Sequence, residues 1–351
     1  MLVAAPHAAY AAYHFSDYKG MTPIHVYATT KTPVGMTPAA IKKIYGLPAN
    51  GGRGTIVIVG AYNDASIESD LAVFDTTFGL PACTSASGCF TRHLMSAKEG
   101  SNSGWALETS LDVEWAHAIA PKASIVLVEA TTQSGANLLK ALDYAASVPD
   151  AVAISMSWGG PEFPEELSLD SHFKSVSGAV FFASSGDNGA GASWPASSPY
   201  VIGVGGTSLS LTPIGNLSKE TAWTGSGGGV SAYEKEPSFQ SSYSIPKAGG
   251  MRAIPDVSYD ADPASGFPIY HAGKWREVGG TSAGAPQWAA IASLGSGITL
   301  ARLYADKSGS DSTSYFRDIT SGENGDCGYL CSARAHYDYV TGLGSPITSH
   351  F

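Results

Sequence analysis

Five apolar runs rich in valine and isoleucine punctuate the chain at Thr55–Val59, Ser124–Glu129, Ala151–Met156, Ala179–Ala183 and Tyr200–Val204. They are continuous rather than alternating, which fits strands buried on both faces of a parallel sheet. Between them, helical periodicity predicts helices over about Gly104–Ala120, Ser134–Val148 and Glu165–Ser177, and another from Ser282 through Leu294. That alternation predicts right-handed βαβ units, hence an α/β class with a central, mostly parallel sheet flanked by helices in a single large domain. Neither an internal repeat nor a coiled coil interrupts the plan. Residues 1–35 stand outside it, being Ala- and Tyr-rich and ending in the linker-like Thr29-Thr-Lys-Thr-Pro-Val-Gly35.

Three segments carry candidate chemistry. In Gly279-Gly280-Thr281-Ser282-Ala283-Gly284-Ala285-Pro286, glycines permit a tight backbone and close substrate approach. Ser282 then falls at a helix N-terminus, where developing negative charge is favoured. None of the nine histidines lies in a His-Gly-Thr-His setting that would activate such a serine. A second segment, Trp105 to Ile119, carries Glu108 and Asp112 one turn apart, on a stripe with Trp105, Trp115 and Ile119. Burial and mutual repulsion would raise both carboxyl pKa values and make Glu108 a general base suited to acid. The plainer alternative is a solvated i,i+4 acidic pair, and Glu114, off the stripe, reads as such a residue. The third segment, Phe181-Phe182-Ala183-Ser184-Ser185-Gly186-Asp187-Asn188-Gly189, is a strand entering a glycine-rich turn. Asp187 reads either as a turn former capping its own backbone or, if protonated, as a donor to an oxyanion.

Together these motifs, in this order, resemble the sedolisins, serine-carboxyl peptidases with a subtilisin-like fold. The likeness extends from about Gly35 to Pro346 and includes Ser157-Trp158-Gly159-Gly160, similar to the family's substrate-lining strand, and Gly227-Gly228-Gly229-Val230-Ser231. The resemblance implies peptide-bond hydrolysis in acid through an acyl-enzyme on Ser282, with Glu108 as base, Asp112 as its partner and Asp187 at the oxyanion. Some relatives add a glutamate at the end of the first sheet strand, where this chain has Gly60. The resemblance also implies one structural Ca2+ site near the C-terminus. Asp318 and Asp338 would supply carboxylates, and Ile319, Arg334 and His336 main-chain oxygens, although relatives usually have glycine at the last two positions. A metal-free, hydrogen-bonded aspartate turn is the alternative. Sedolisins are made with a large inhibitory prodomain, which 35 residues cannot hold. The segment 1–35 is therefore a prodomain remnant, an ordered arm or sequence foreign to the enzyme, and 36–351 the peptidase domain.

Composition narrows the remaining choices. Charged residues make up 14% of the chain and the net charge is −10, which disfavours nucleic-acid binding. Few cations also limit self-repulsion when carboxyls protonate. The four cysteines form two close pairs, Cys83 with Cys89 and Cys327 with Cys331, at spacings that suit small disulfide loops better than zinc. Disulfides imply secretion or another acidic, oxidising compartment, lysosome-like in a eukaryote. The segment from Met1 to His7 lacks the basic region of a signal peptide, and no apolar run is long enough to span a membrane. His117 reads as a packed or surface residue, and Asp256, Asp260 and Asp262 as turn formers in a Pro-containing loop. Asn216-Leu217-Ser218 is a glycosylation sequon of use only in a eukaryotic secretory route. The expected partners are protein or peptide substrates and the prodomain, acting on a monomer. A glycosidase would place its carboxylates on facing walls rather than adjacent helical turns. A catalytically inactive or still-inhibited binding protein on the same fold is the competing reading.

Overall fold

The computed structural model describes residues 13–97, 100–308 and 315–349. The segment from Met1 to His7, discussed above for its leader properties, lies outside the described residues. Strand β1 (His25–Thr30) and helix α1 (Pro38–Ile44) precede a run of βα units: β2 (Thr55–Ala61), α2 (Ile67–Phe78), β3 (Phe90–Leu94), α3 (Ser103–Ile119), β4 (Ser124–Ala130), α4 (Gly135–Ala146) and β5 (Ala151–Met156). Then come β6 (Gly160–Pro161), β7 (Val180–Ser184), β8 (Ser193–Trp194), β9 (Val201–Leu211), β10 (Leu217–Ala222), β11 (Gly229–Lys235), α5 (Ser238–Tyr243), β12 (Met251–Ile254), β13 (Val257–Asp260), β14 (Phe267–His271), β15 (Lys274–Gly279) and α6 (Gly284–Ile291).

The main sheet runs β10-β9-β7-β5-β2-β4-β3, with β13 beside β9, and every pairing is parallel except β10 with β9. All five apolar runs become strands of this sheet. Strand β2 shows why they are continuous. Ile56 and Ile58 face one core, with α3 and α6, while Val57 and Val59 face a second, with α4. Both faces are covered, so both positions of the two-residue repeat must be apolar. This is the expected subtilisin-like α/β arrangement in one domain.

Several elements depart from the sequence pattern. The helix predicted over Glu165–Ser177 shrinks to a 3-10 segment, Glu166–His172. The helix predicted from Ser282 begins with a 3-10 turn, Thr281–Ala283, before α6, and ends in a π turn over Ala292–Ser296. Helix α3 is not amphipathic: every residue from Glu108 to Ile119 is buried, because α2, α6, β2 and β14 all pack on it. Glu114 is accordingly not solvated. It is fully buried and accepts from the Tyr270 amide at 3.0 Å. His117 is packed, with Nε2 2.8 Å from the Pro81 carbonyl oxygen. Cys83–Cys89 and Cys327–Cys331 are disulfides. Of the three aspartates read as turn formers, only Asp262 behaves so, capping a 3-10 turn through the Ala264 amide. Asp260 ends β13, buried.

Asp256 has a different task. It is completely buried in a two-point pair with Arg252 (2.7 and 2.6 Å), accepts from the Gly203 amide at 2.8 Å and from the Tyr304 hydroxyl at 2.8 Å. These bonds tie β12 and β9 to the segment preceding β13. Removing one partner of a buried ion pair strands the other charge, so Asp256→Ala should lower stability by about 3–5 kcal/mol. Urea denaturation followed by tryptophan fluorescence measures this. A loss under about 1 kcal/mol would contradict the account.

Candidate active site

Three separate elements converge at the carboxyl ends of the parallel strands. Helix α3, capped by Asn102, whose Oδ1 accepts from the Gly104 and Trp105 amides, presents Glu108 and Asp112. The turn after β7 presents Asp187, and the 3-10 turn between β15 and α6 presents Ser282. Ser282 is 0% exposed, and Glu108 and Asp112 are each 2% exposed.

Burial raises the pKa of Glu108 well above the carboxylate range. The negative charge of Asp112 adds to this, the nearby Ser282 hydroxyl counters part of it, and Asp187 adds a little more. Asp112 is raised by burial and partly relieved by the Ser157 hydroxyl, which donates to its Oδ1 at 2.6 Å. Two carboxyls on adjacent turns therefore resist carrying two charges at once, and the pair retains a proton that water would remove. Both oxygens of Glu108 lack a hydrogen-bond partner among the described residues. Ser282 lies close to Glu108 but donates elsewhere, to the carbonyl oxygen of Pro23 at 2.7 Å.

Pro23 belongs to the N-terminal segment, which runs through the site as an added strand. The Gly20 amide donates to the Gln133 carbonyl at 2.9 Å, and the Gly135 amide donates to the Tyr18 carbonyl at 3.0 Å. Met21 and Gly159 exchange both backbone hydrogen bonds, at 2.9 and 3.1 Å. Beyond Pro23, β1 continues antiparallel to β15. Gly280 lets the two chains meet: its φ is +128°, and a Cβ there would fall 1.9 Å from the Pro23 oxygen and 2.6 Å from Asp187 Oδ2.

Asp187 accepts from the Thr281 amide and hydroxyl, both at 2.8 Å, through Oδ1. Its Oδ2 lies 3.0 Å from Nε2 of His25, whose ring also stands edge-on to Trp223. Burial raises the Asp187 pKa, and His25 and Thr281 hold back part of that rise. The His25 pKa is raised in turn, chiefly by its hydrogen bond to Asp187. An imidazole thus reaches the site, but it sits on Asp187 and not between Ser282 and Glu108.

Of the residues matched to the substrate-lining strand, Gly159 and Gly160 face the N-terminal segment. Ser157 turns inward to Asp112 and to the Ser282 carbonyl (3.2 Å). Trp158 is buried, donating through Nε1 to the Val59 carbonyl at 3.0 Å, with its ring under Gly20. Gly60 leaves no carboxylate at the end of β2. Its register partner Glu129 on β4 is buried, accepts from the Asp64 amide at 2.8 Å and pairs with Arg92 at 2.5 Å, bracing that sheet edge. Pro23 and His25 are the participants that sequence reasoning did not single out. The only available signal was the paired glycine at 279–280, since nothing local marks a chain segment that crosses a distant turn.

At the C-terminal loop, Asp318 Oδ2 accepts from the His336 amide at 2.9 Å, while Oδ1 is buried with no hydrogen-bond partner among the described residues. Asp338 accepts from the Val340 and Thr341 amides through Oδ1, and from the Thr341 hydroxyl and Arg334 amide through Oδ2. Burial pushes its pKa up to about 6, against the pull of those donors. His336 adopts φ +66°, in the left-handed region that glycine adopts most readily.

The family model for subtilases matches residues 95–295. Sedolisin of Pseudomonas sp. (strain 101) is 31% identical over 322 residues, covering 78% of this chain and 54% of that protein. Kumamolisin of Bacillus sp. (strain MN-32) is 30% identical over 360 residues, covering 90% of this chain and 62% of that protein. The chain thus spans somewhat over half the length of these relatives. The solved structure of Pseudomonas sedolisin, a serine-carboxyl proteinase complexed with pseudo-iodotyrostatin, superposes with a TM-score of 0.77 at 30% identity, covering 90% of this chain and 96% of that one. The chain belongs to the sedolisin family of serine-carboxyl peptidases, within the subtilase fold.

Buried carboxyls outside the site share the same bias. Burial raises Asp75 to about 7, Glu234 to about 8 and Glu166 to about 9, and pushes Glu114 and Asp260 well up. A folded pKa above the unfolded value, about 4, means the folded state binds protons more tightly. That stability is fully present below about pH 4 and is lost as pH rises through the folded values. Tm should therefore fall progressively between about pH 5 and 9 in differential scanning calorimetry. A Tm that climbs over this range would contradict the assignment.

Proposed function

We propose that this chain is an acid-active serine peptidase whose cleft is closed by its own N-terminal segment. The observation that carries the reading is the buried meeting of Ser282 with Glu108 and Asp112, with a peptide carbonyl delivered to the serine hydroxyl. In the working state Ser282 attacks a substrate carbonyl and passes its proton to Glu108, with Asp112 sharing that proton. Glu108 then protonates the leaving amine, and water reverses the sequence to free the acyl product. Asp187, protonated, and a backbone N–H stabilise the oxyanion. Ionised, Asp187 would repel that charge, so activity belongs to acid.

In the closed state the geometry differs in two ways. Ser282 donates to the Pro23 carbonyl, so its proton is not directed to Glu108, and His25 faces Asp187 and favours its charged, non-donating form. The segment ahead of residue 36 is read as an inhibitory arm, the tail of a prodomain, and residues 36–351 as the peptidase domain. Its uninterrupted passage along the cleft on both sides of Ser282 favours endopeptidase action on extended polypeptide. Gly159 and Gly160 line the acyl side. The disulfides fit a secreted or lysosome-like setting, and no helix of the described residues is long and apolar enough to cross a membrane.

Incubating the full chain with denatured protein across pH 2–8 should yield new peptides only in acid, together with self-cleavage after Pro23. Ser282→Ala and Glu108→Ala should each reduce turnover by roughly a thousandfold or more with the fold intact. Maximal activity at pH 7–8, or near-normal turnover in either variant, would end this reading.

The residues at the C-terminal loop fit a calcium ion. Asp318 Oδ1 is a buried oxygen in want of a cation, and the burial that raises Asp338 would be relieved by one. Asp318 and Asp338 would supply carboxylates, and Ile319, Arg334 and His336 main-chain oxygens. The ion would supply loop stability and no catalytic step. Calcium should raise Tm and EDTA lower it at pH 6 or above, with the effect fading as the carboxyls protonate. An identical Tm in both conditions would remove the site.

A further inference from the structure

The arm makes its firmest side-chain contacts well ahead of the nucleophile. Along residues 18–21 the side chains alternate, with Tyr18 and Gly20 buried and Lys19 and Met21 exposed, as a strand requires. Tyr18 is 1% exposed. Its ring stands edge-on to Trp194 at 5.0 Å and against Phe163 at 5.4 Å, and its hydroxyl donates to the Trp194 carbonyl at 2.9 Å. The floor is Gly160: a Cβ there would come within 2.9 Å of the Tyr18 ring, and the three atoms nearest to it all belong to Tyr18. Gly20 meets the opposite condition. A Cβ on it would lie 2.6 Å from Leu138 Cδ1 and 3.5 Å from the Trp158 ring.

Gly160, Phe163 and Trp194 come from β6, the loop after it and β8, and Leu138 from α4, all in the body of the domain. The hollow they form therefore stays when the arm leaves. Met21 pairs with Gly159 as a substrate strand would, so Tyr18 stands five residues before the acyl residue Pro23, and Gly20 three before it.

We propose that this hollow is a recognition subsite of the cleft, built for an aromatic side chain five residues ahead of the acyl residue, with glycine favoured three ahead of it. The preferred substrate is an extended polypeptide reading aromatic, any, Gly, any, any, then the acyl residue. Shape complementarity to the ring and a hydroxyl acceptor at Trp194 favour tyrosine, and phenylalanine follows. The subsite acts on binding remote from the reacting bond and so moves KM more than kcat. This rests on the peptidase reading above, and its test separates the two.

After acid incubation of the full chain, quenched-fluorescence peptides based on residues 17–28 would be compared with versions carrying Ala for Tyr18 or Leu for Gly20. Each change should raise KM roughly tenfold or more with little change in kcat. Gly160→Val in the enzyme should erase the preference for tyrosine over alanine. If the peptides are cut with equal KM, the subsite is overturned and the peptidase reading stands. If none is cut, the peptidase reading fails and a second measurement decides the subsite. In the full chain carrying Ser282→Ala, which cannot cut its arm, amide exchange across residues 19–25 should quicken tenfold or more with Tyr18→Ala and stay unchanged with the exposed control Lys19→Ala. Equal protection in both variants would overturn the subsite.

Discussion

Two carboxyl groups sit one helical turn apart inside a closed core, and the rest of the site is arranged around what that demands. Burial raises both Glu108 and Asp112, the Asp112 charge adds to the rise at Glu108, and the hydroxyls of Ser282 and Ser157 relieve part of it. With no cation among those influences, the pair resists carrying two charges and retains a proton well above the ordinary carboxylate range. A proton held between carboxyls beside a serine is what general base chemistry in acid requires, where an imidazole would be charged and useless as a base. The same burial raises the Asp187 carboxyl, and a carboxyl that keeps its proton has a hydrogen to donate.

This electrostatic economy extends through the molecule. Glu114, Asp260, Glu166 and Glu234 are all pushed upward by burial, and each is more comfortable as a neutral acid. The bias toward neutral carboxyls is therefore distributed over the core. Where the fold keeps a buried charge, it supplies a full complement of partners, as Arg252, Gly203 and Tyr304 do for Asp256.

The arm uses the same site in reverse. It offers a carbonyl to Ser282 and an imidazole to Asp187, taking up the serine hydroxyl and favouring the charged form of that carboxyl together. Its anchorage lies elsewhere, in backbone pairing with residues 133–135 and 159 and in the aromatic packing of Tyr18. Anchorage and blockade are thus separate, and Gly160, Phe163 and Trp194, which receive the Tyr18 ring, belong to β6, the loop after it and β8 in the domain body.

Much of this was legible along the chain. The strands emerged from runs apolar at every position, since both sheet faces are covered, and Ser282, Glu108, Asp112 and Asp187 were singled out by short-range spacing that survives any tertiary arrangement. Chain order also allowed the cysteines to be paired, because their loops are small. What spacing alone could not supply is any fact that depends on a distant neighbour. Glu114 looks solvated until α2 and β14 close over α3, and Asp256 looks like a turn residue until Arg252 and Tyr304 reach it. The contact of Ser282 with Pro23 joins residues 259 positions apart and leaves no periodic trace. Local pattern records which faces must avoid water, whereas the identity of the group that covers them is settled only when the sheet brings remote segments together.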